Sequence, residues 1–478
     1  MPLFFLCVRT NVCYVVVGSF MVKETTVDVQ EALNIFKEWN PDWTPSHFMV
    51  DKSDVEINAL NREFPAGHSK MAESLHEMWA LLTKRRTEWP IASLLIGVTA
   101  TVATYYLKYV VKKPMLITGS KSCADFLRRR CPVLLQEYYP TVWCFTSRAH
   151  TVMCSIVGNL TKKLPPYRKE ILYPPDGGEI HLDWLDHHGN DCHDNGTRPI
   201  VVILPGLTGN SSSYYSIRLA EGATKKGYRS VVFNHRGSNG IKLKSNRLYC
   251  AADFEDFQRV VGHIKKLYPA APVMAVGCSM GGMILFNYVA KFGEKCGLVA
   301  AMVVGMPWEA NKTGESLEQL INRLIFSKNL VRQINRDLRF NRDMFDNDDR
   351  VDVDYALQSS TVMEFDDRFT CRMFGFDSVH HYYTTASACY KIDKVKIPLL
   401  SLNSADDVFA PFDSIPTEDI KTNPNISLVV TSHGGHVGFG DWLSPTRESF
   451  LDKLFQQYID AVFKYREKEL LGTHMKKQ

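Results

Sequence analysis

The sequence lacks an excess of charge of either sign. Its 478 residues carry 56 Lys and Arg against 52 Asp and Glu, a formal net charge of +4. A balance so small and so evenly mixed gives no basic stripe for a nucleic-acid backbone, and no nucleic-acid partner is expected. The sequence also lacks a paired C-x-x-C. Its 12 cysteines are scattered, which excludes the usual structural zinc sites and reads as free or buried thiols. His187, His188, Cys192 and His193 lie close together, but their spacing matches no structural zinc pattern. They read as a solvated loop, and neither a metal nor an organic cofactor is expected.

The N-terminal run "MPLFFLCVRTNVCYVVVGSFMV" lacks the basic flank of a secretory leader, and Arg9 interrupts it. It reads as a weak signal-like stretch or an accessory membrane contact. Residues 23–88 are polar and mixed and hold no chemical motif. Charge is absent again from Ile91 to Leu107. Extended through Val111, with Lys108 snorkelling, this stretch matches a hydrocarbon core of about 30 Å. Trp89, Tyr105, Tyr106 and Tyr109 stand near its ends, where amphipathic rings favour the interface. The sequence therefore predicts one transmembrane helix over 90–111. Lys84, Arg85 and Arg86 precede it and Lys108, Lys112 and Lys113 follow, so charge does not set its orientation.

From Tyr167 onward the pattern changes. "RPIVVILPGLTG" and "YRSVVFNHRG" are continuous apolar runs, as central parallel strands require. Residues 251–268 place Phe254, Phe257, Val260, Val261 and Ile264 on one helical face. "PVMAVG", "IPLLSLNS" and "NISLVVTS" add core strands, and "SFLDKLFQQYIDAVFKY" a closing amphipathic helix. Strands alternating with helices predict an α/β fold, a mostly parallel sheet covered on both faces.

At one strand-to-helix junction stands "GCSMGGM". A G-x-S-x-G there is a nucleophile elbow: the turn is so tight that Gly277, Gly281 and Gly282 must be small, and it lifts Ser279 off the sheet edge. It also sets the Met280 N–H at a helix N-terminus, aimed at a developing oxyanion. A second donor is expected from the loop of "LPGLTGNSSSYY", with the Leu207 N–H in that place. A serine nucleophile needs a base and a carboxylate to orient it, in the chain order Ser, Asp or Glu, His. "ADDVFAP" and "HGGHVGF" follow two predicted strands, at the ends where such sheets carry their sites. Each offers a choice, Asp406 or Asp407 and His433 or His436. Asp407 is preferred because its run sets the carboxylate just before a turn, and His436 because two glycines free its loop.

"LPGLTG", "VVFNHRG", "GCSMGGM", "EFDDRFT", "LNSADDVFAPFDSIP" and "SHGGHVGF" together resemble the alpha/beta-hydrolase-domain family of types one to three, closest to the branch of types one and three. The resemblance runs from "KKPMLITG" and "YYPTVWC" to near residue 460, and says nothing of the extension before residue 80. It implies an α/β-hydrolase fold with a helical cap and a single N-terminal type II membrane anchor. It also implies a catalytic triad at Ser279, Asp407 and His436. The branch includes a phospholipase of medium-chain phosphatidylcholines. The expected layout is an extension over 1–89, an anchor over 90–111, a membrane-proximal linker over 112–166 and a catalytic domain over 167–470. A cap insert is expected at about 305–385, with Leu320, Ile321, Leu324 and Ile325 suited to cover acyl chains or to pack the core.

The expected function is a membrane-anchored serine ester hydrolase of lipid acyl esters, of phospholipase A type on phosphatidylcholine with short or medium acyl chains. Its expected partners are the acyl-ester lipid and the bilayer. Acylglycerol hydrolysis or acyl transfer are alternatives of the same chemistry; an inactive membrane scaffold is one of another class. His436 and Asp441 also form the H-x-x-x-x-D spacing of some acyltransferases. Sequons at Asn159, Asn195, Asn210, Asn311 and Asn425 permit a luminal catalytic domain in the endoplasmic reticulum or another endomembrane.

Overall fold

The structure is a computed structural model that describes residues 91–186, 194–238, 240–443, 447–466 and 468–469, together with residue 34 and two strands near the N-terminus. The cluster at His187–His193 and most of residues 1–90 lie outside the described residues. The chain divides into two compact units, residues 1–103 and 104–478. In the first, β1 (Leu3–Arg9) and β2 (Tyr14–Met21) pair antiparallel, so the apolar leader is a hairpin.

An apolar helix covers Ile91–Tyr105, and a π-turn follows over Tyr106–Val110. The 15 residues of that helix rise about 22 Å, short of the ~30 Å of a hydrocarbon core. Among the described residues no helix is long and apolar enough to cross a membrane. The span expected over 90–111 is thus not supported by a membrane-crossing helix, and its C-terminal end is engaged elsewhere. Tyr106 and Val110 are buried against Tyr139, Val142 and Phe145, and the Tyr106 hydroxyl donates to the Pro140 carbonyl. The last turn of the expected span belongs to the globular unit.

That unit is built on a nine-stranded sheet. Its strands are β3 (Met115–Thr118), β4 (Arg168–Leu172), β5 (Ile180–Leu185), β6 (Ile200–Leu204), β7 (Arg229–Asn234), β8 (Val273–Cys278), β9 (Ala300–Val304), β10 (Leu399–Ser404) and β11 (Ile426–Thr431). Their spatial order is β3-β11-β10-β9-β8-β6-β7-β5-β4. The run from β11 to β7 is parallel, and β3, β5 and β4 join antiparallel. Every residue of β6 through β11 is buried, as continuous apolar runs under two covering layers demand. The pleat divides β6 between the two layers: Ile200, Val202 and Leu204 face one apolar core, Val201 and Ile203 the other. The helices Glu255–Leu267 and Met280–Phe292 fill the first core, and Tyr214–Lys225 and Phe450–Arg466 the second.

Residues 112–166, expected to link anchor and domain, are part of the fold. They supply edge strand β3, paired with β11, and the helices Lys121–Arg130 and Ser147–Thr161. The insert between β9 and β10 is helical from Ala310 to Ala386 and has its own apolar cluster around Leu338, Phe345, Phe365 and Phe369.

Candidate active site

The strands of the sheet aim their carboxyl ends at one place. β8 ends at Cys278, and Ser279 follows with φ 54° and ψ −124°, a conformation L-residues rarely hold. Two glycines make it possible. A Cβ on Gly277 would lie 2.4 Å from the Gly281 carbonyl oxygen, and one on Gly281 would lie 2.3 Å from the carbonyls of Leu204 and Pro205. The Ser279 N–H donates to Val304 O at 2.8 Å and ties the turn to β9.

β10 ends at Ser404 and leads to Asp407; β11 ends at Thr431 and leads to His436. His436 Nε2 lies 2.8 Å from Ser279 Oγ, and His436 Nδ1 lies 2.9 Å from Asp407 Oδ2. The other oxygen of Asp407 accepts the Phe409 N–H at 2.8 Å, so the buried carboxylate is held from both sides. Asp406 and His433 take no part in this chain of contacts. Asp406 accepts the Gly435 N–H at 3.0 Å, and burial raises its pKa to about 6. His433 Nδ1 lies 3.2 Å from Ser432 Oγ, and burial lowers its pKa. Asp441 pairs with Lys453, whereas His436 pairs with Asp407.

Leu207 and Met280 line the same cavity as Ser279 and His436. Among the described residues neither of their amides donates to another group, which leaves both free for an oxyanion. The Leu207 loop is fixed around that free amide. Gly206 N–H donates to Tyr215 Oη at 2.9 Å, and His235 Nε2 lies 2.9 Å from Pro205 O. Burial lowers the pKa of His235 to about 4, so the ring is neutral and its Nε2–H is the donor. His235 stacks on Tyr249, with ring centroids 4.4 Å apart. Tyr215, His235 and Tyr249 escaped the sequence reading; the only hint was the apolar-to-polar break at "FNHRG".

The cavity has a volume of about 440 Å³, within the ~300–1,000 Å³ of small-molecule sites. Its far wall is the cap, with Leu330, Ile334, Leu338, Phe365 and Phe369. Leu320, Ile321, Leu324 and Ile325, expected there, do not line it. The first three are exposed, at 73%, 55% and 51%, on the short turns Leu320–Asn322 and Arg323–Ser327 that lead into the helix Lys328–Phe340. Asp366 is a half-buried acid of the wall. It accepts from Thr370 Oγ1 at 2.7 Å and from Tyr383 Oη at 3.0 Å, and burial raises its pKa to about 6. Among the described residues no group of side chains is placed to hold a metal.

Residues 199–441 match the sequence profile of the alpha/beta hydrolase fold. Phospholipase ABHD3 of Homo sapiens is 42% identical over 375 residues, covering 78% of this chain and 90% of that protein. The chain belongs to the alpha/beta hydrolase fold family. The resemblance read from the motifs, to the branch of that family with phospholipases, therefore holds. Protein abhd-3.2 of Caenorhabditis elegans is 38% identical over 69% of this chain and 86% of its own length. The monoacylglycerol lipase ABHD2 of Danio rerio is 28% identical over 74% of this chain and 86% of its own. As a member of this family with such relatives, the chain is a carboxylic ester hydrolase. Residues 1–69 match a second profile, the RNaseH-like domain of zinc finger SWIM domain-containing proteins 1 and 3.

Proposed function

We propose that this hydrolase cleaves acyl esters of membrane lipids by serine catalysis, with phospholipase A-type activity. The observation that carries the reading is the chain of contacts from Ser279 through His436 to Asp407, at 2.8 and 2.9 Å, beneath an apolar cavity. Ser279 Oγ attacks the acyl carbonyl carbon while His436 Nε2 takes its proton. Asp407 holds the imidazole in the tautomer with the proton on Nδ1 and stabilises the imidazolium. The Leu207 and Met280 amides donate to the oxyanion of the tetrahedral intermediate. His436 then protonates the leaving alcohol, here a lysophospholipid, and next deprotonates the water that releases the fatty acid. Contacts this short argue against an inactive scaffold, which would have no reason to keep them.

The phospholipid reading rests on the names of the relatives and on the cavity; short or medium acyl chains are the length proposed. The name of the ABHD2 relative, at lower identity, supports an acylglycerol as the second candidate. We further propose that the apolar helix Ile91–Tyr105 and the exposed Leu107 and Tyr109 beyond it hold the protein at an endomembrane, with the catalytic unit in the lumen. A fluorophosphonate probe tests the chemistry. Parent protein should label at Ser279 and release fatty acid from phosphatidylcholine vesicles, and Ser279→Ala should do neither. Unchanged lipid hydrolysis by Ser279→Ala would sink the reading. Comparing lipids in cells with parent and Ser279→Ala protein then identifies the substrate that accumulates.

A further inference from the structure

Three non-glycine residues of the histidine loop hold left-handed backbone: Val437 at φ 56°, Phe439 at 46° and Trp442 at 57°. Backbone of this kind persists only where its surroundings over-determine it. What surrounds it here is a segment that precedes the family match, within residues 138–151. Tyr138 Oη donates to Gly440 O at 2.8 Å. Trp442 N–H donates to Tyr139 O at 2.7 Å, and Val142 N–H to Trp442 O at 2.9 Å. Two contacts come from side chains of the helix Ser147–Thr161. Gly440 N–H donates to His150 Nε2 at 2.7 Å, and His436 N–H donates to Thr151 Oγ1 at 2.8 Å.

Both side chains are committed to this task. The Thr151 hydroxyl gives its own proton to Ser147 O at 2.8 Å, which turns its lone pairs toward the His436 amide. His150 is fully buried, and that burial lowers its pKa to about 4. The ring is therefore neutral at physiological pH, as an Nε2 acceptor must be. Its neighbours are matched to it in shape. A Cβ on Gly435 would lie 2.5 Å from Thr151 Oγ1, and one on Gly440 would lie 3.0 Å from His150 Nε2.

We propose that Thr151 and His150 are positioning residues for His436. They fix the backbone on both sides of the strained turn, so that one imidazole meets Ser279 and Asp407 at once. The inference rests on the serine-hydrolase reading above. A general base displaced by about 1 Å loses rate while the cavity still binds substrate. In the full-length protein Thr151→Val removes the acceptor and keeps the shape, whereas Thr151→Ser keeps the acceptor.

The test is hydrolysis of p-nitrophenyl butyrate, with thermal unfolding alongside. We expect Thr151→Val to lose about a hundredfold in kcat with KM and melting temperature close to the parent, and Thr151→Ser to recover most of the rate. His150→Leu and His150→Gln form a second pair, lacking and keeping an acceptor, that decides the matter if the valine variant does not fold. Parental kcat in Thr151→Val overturns the proposal, as does a loss that serine or glutamine fails to restore, or one that moves KM and melting temperature together. Ser279→Ala run beside them separates the two readings. Its retained activity sinks the serine mechanism itself, whereas Ser279-dependent turnover that ignores Thr151 and His150 sinks only the positioning role.

Discussion

The Phe409 ring lies flat on the His436 imidazole, with centroids 4.2 Å apart and planes inclined by 24°. The same residue donates its N–H to Asp407 Oδ1. One side chain and one amide thus orient both partners of Ser279. Phe409→Ala keeps the amide and removes the stack, and the imidazole gains room to turn away. A fall in kcat on the order of tenfold is expected, in line with a single aromatic contact of about 1 kcal/mol. Steady-state kinetics on a soluble ester checks it.

The adjacent carboxylates allow a sharper comparison. Asp407→Asn leaves His436 without the acceptor that fixes its tautomer, and kcat should fall on the order of 10⁴-fold. Asp406→Asn keeps an oxygen for the Gly435 N–H and should stay within about tenfold of the parent. Equal losses in the two variants would show that the aspartates share the role.

Gly281 tests the elbow. Alanine there brings a Cβ to 2.3 Å from the carbonyl oxygens of Leu204 and Pro205, both backbone atoms at the end of β6. Gly281→Ala should cost at least about 1–3 kcal/mol, read as a lower melting temperature together with lost fluorophosphonate labelling. An alanine variant with parental stability would contradict the tight turn.

Asp366 carries a pH signature. Its folded pKa, about 6, lies above the ordinary carboxyl value because burial disfavours the charge. The folded state therefore binds its proton more tightly than the unfolded state. Stability from this group is fully present below pH ~4 and is lost as pH rises through 6. Asp366→Asn removes the penalty of ionisation. It should narrow the deficit at pH 8 by on the order of 2 kcal/mol relative to pH 4. Chemical denaturation of both proteins across that range measures the gap. A constant gap would mean that Asp366 ionises freely in the fold.

The sequons are not equivalent in the structure. Asn159 and Asn195 are exposed. Asn311 and Asn425 are only half-exposed, with Asn311 Nδ2 donating to Thr384 Oγ1 at 3.3 Å and Asn425 Nδ2 to Val395 O at 3.2 Å. If the catalytic unit is luminal, a glycosidase-sensitive mobility shift should disappear in Asn159→Gln combined with Asn195→Gln, and persist in Asn311→Gln. No shift in the parent, with the catalytic unit protease-sensitive in intact microsomes, would place it in the cytosol. The nine cysteines whose side chains are described are all unpaired, and seven are buried, where burial raises the thiol pKa and disfavours the reactive thiolate.

Local chemistry was enough for much of this molecule. Strands buried on both faces must read as unbroken apolar runs, so β6, β7, β8, β10 and β11 were legible one by one. A serine on a turn that admits no Cβ must be flanked by glycines, so Ser279 was legible from five letters. Chain order then offered Asp406 or Asp407 and His433 or His436 as its partners. The turn after Asp407 and the glycines before His436 favoured those two, but that both come within reach of Ser279 at once rests on the course of two loops beyond the strand ends, a matter of packing. The same holds for β3, four residues whose strand character comes from pairing with β11 about 310 positions away in sequence. It holds for Tyr106, whose polar tip finds the Pro140 carbonyl instead of a membrane interface. His150 and Thr151 show the limit most plainly. Nothing local marks a histidine and a threonine inside a helix, because their partners, Gly440 and His436, reach them only when the sheet has brought residues some 285 positions apart to one place.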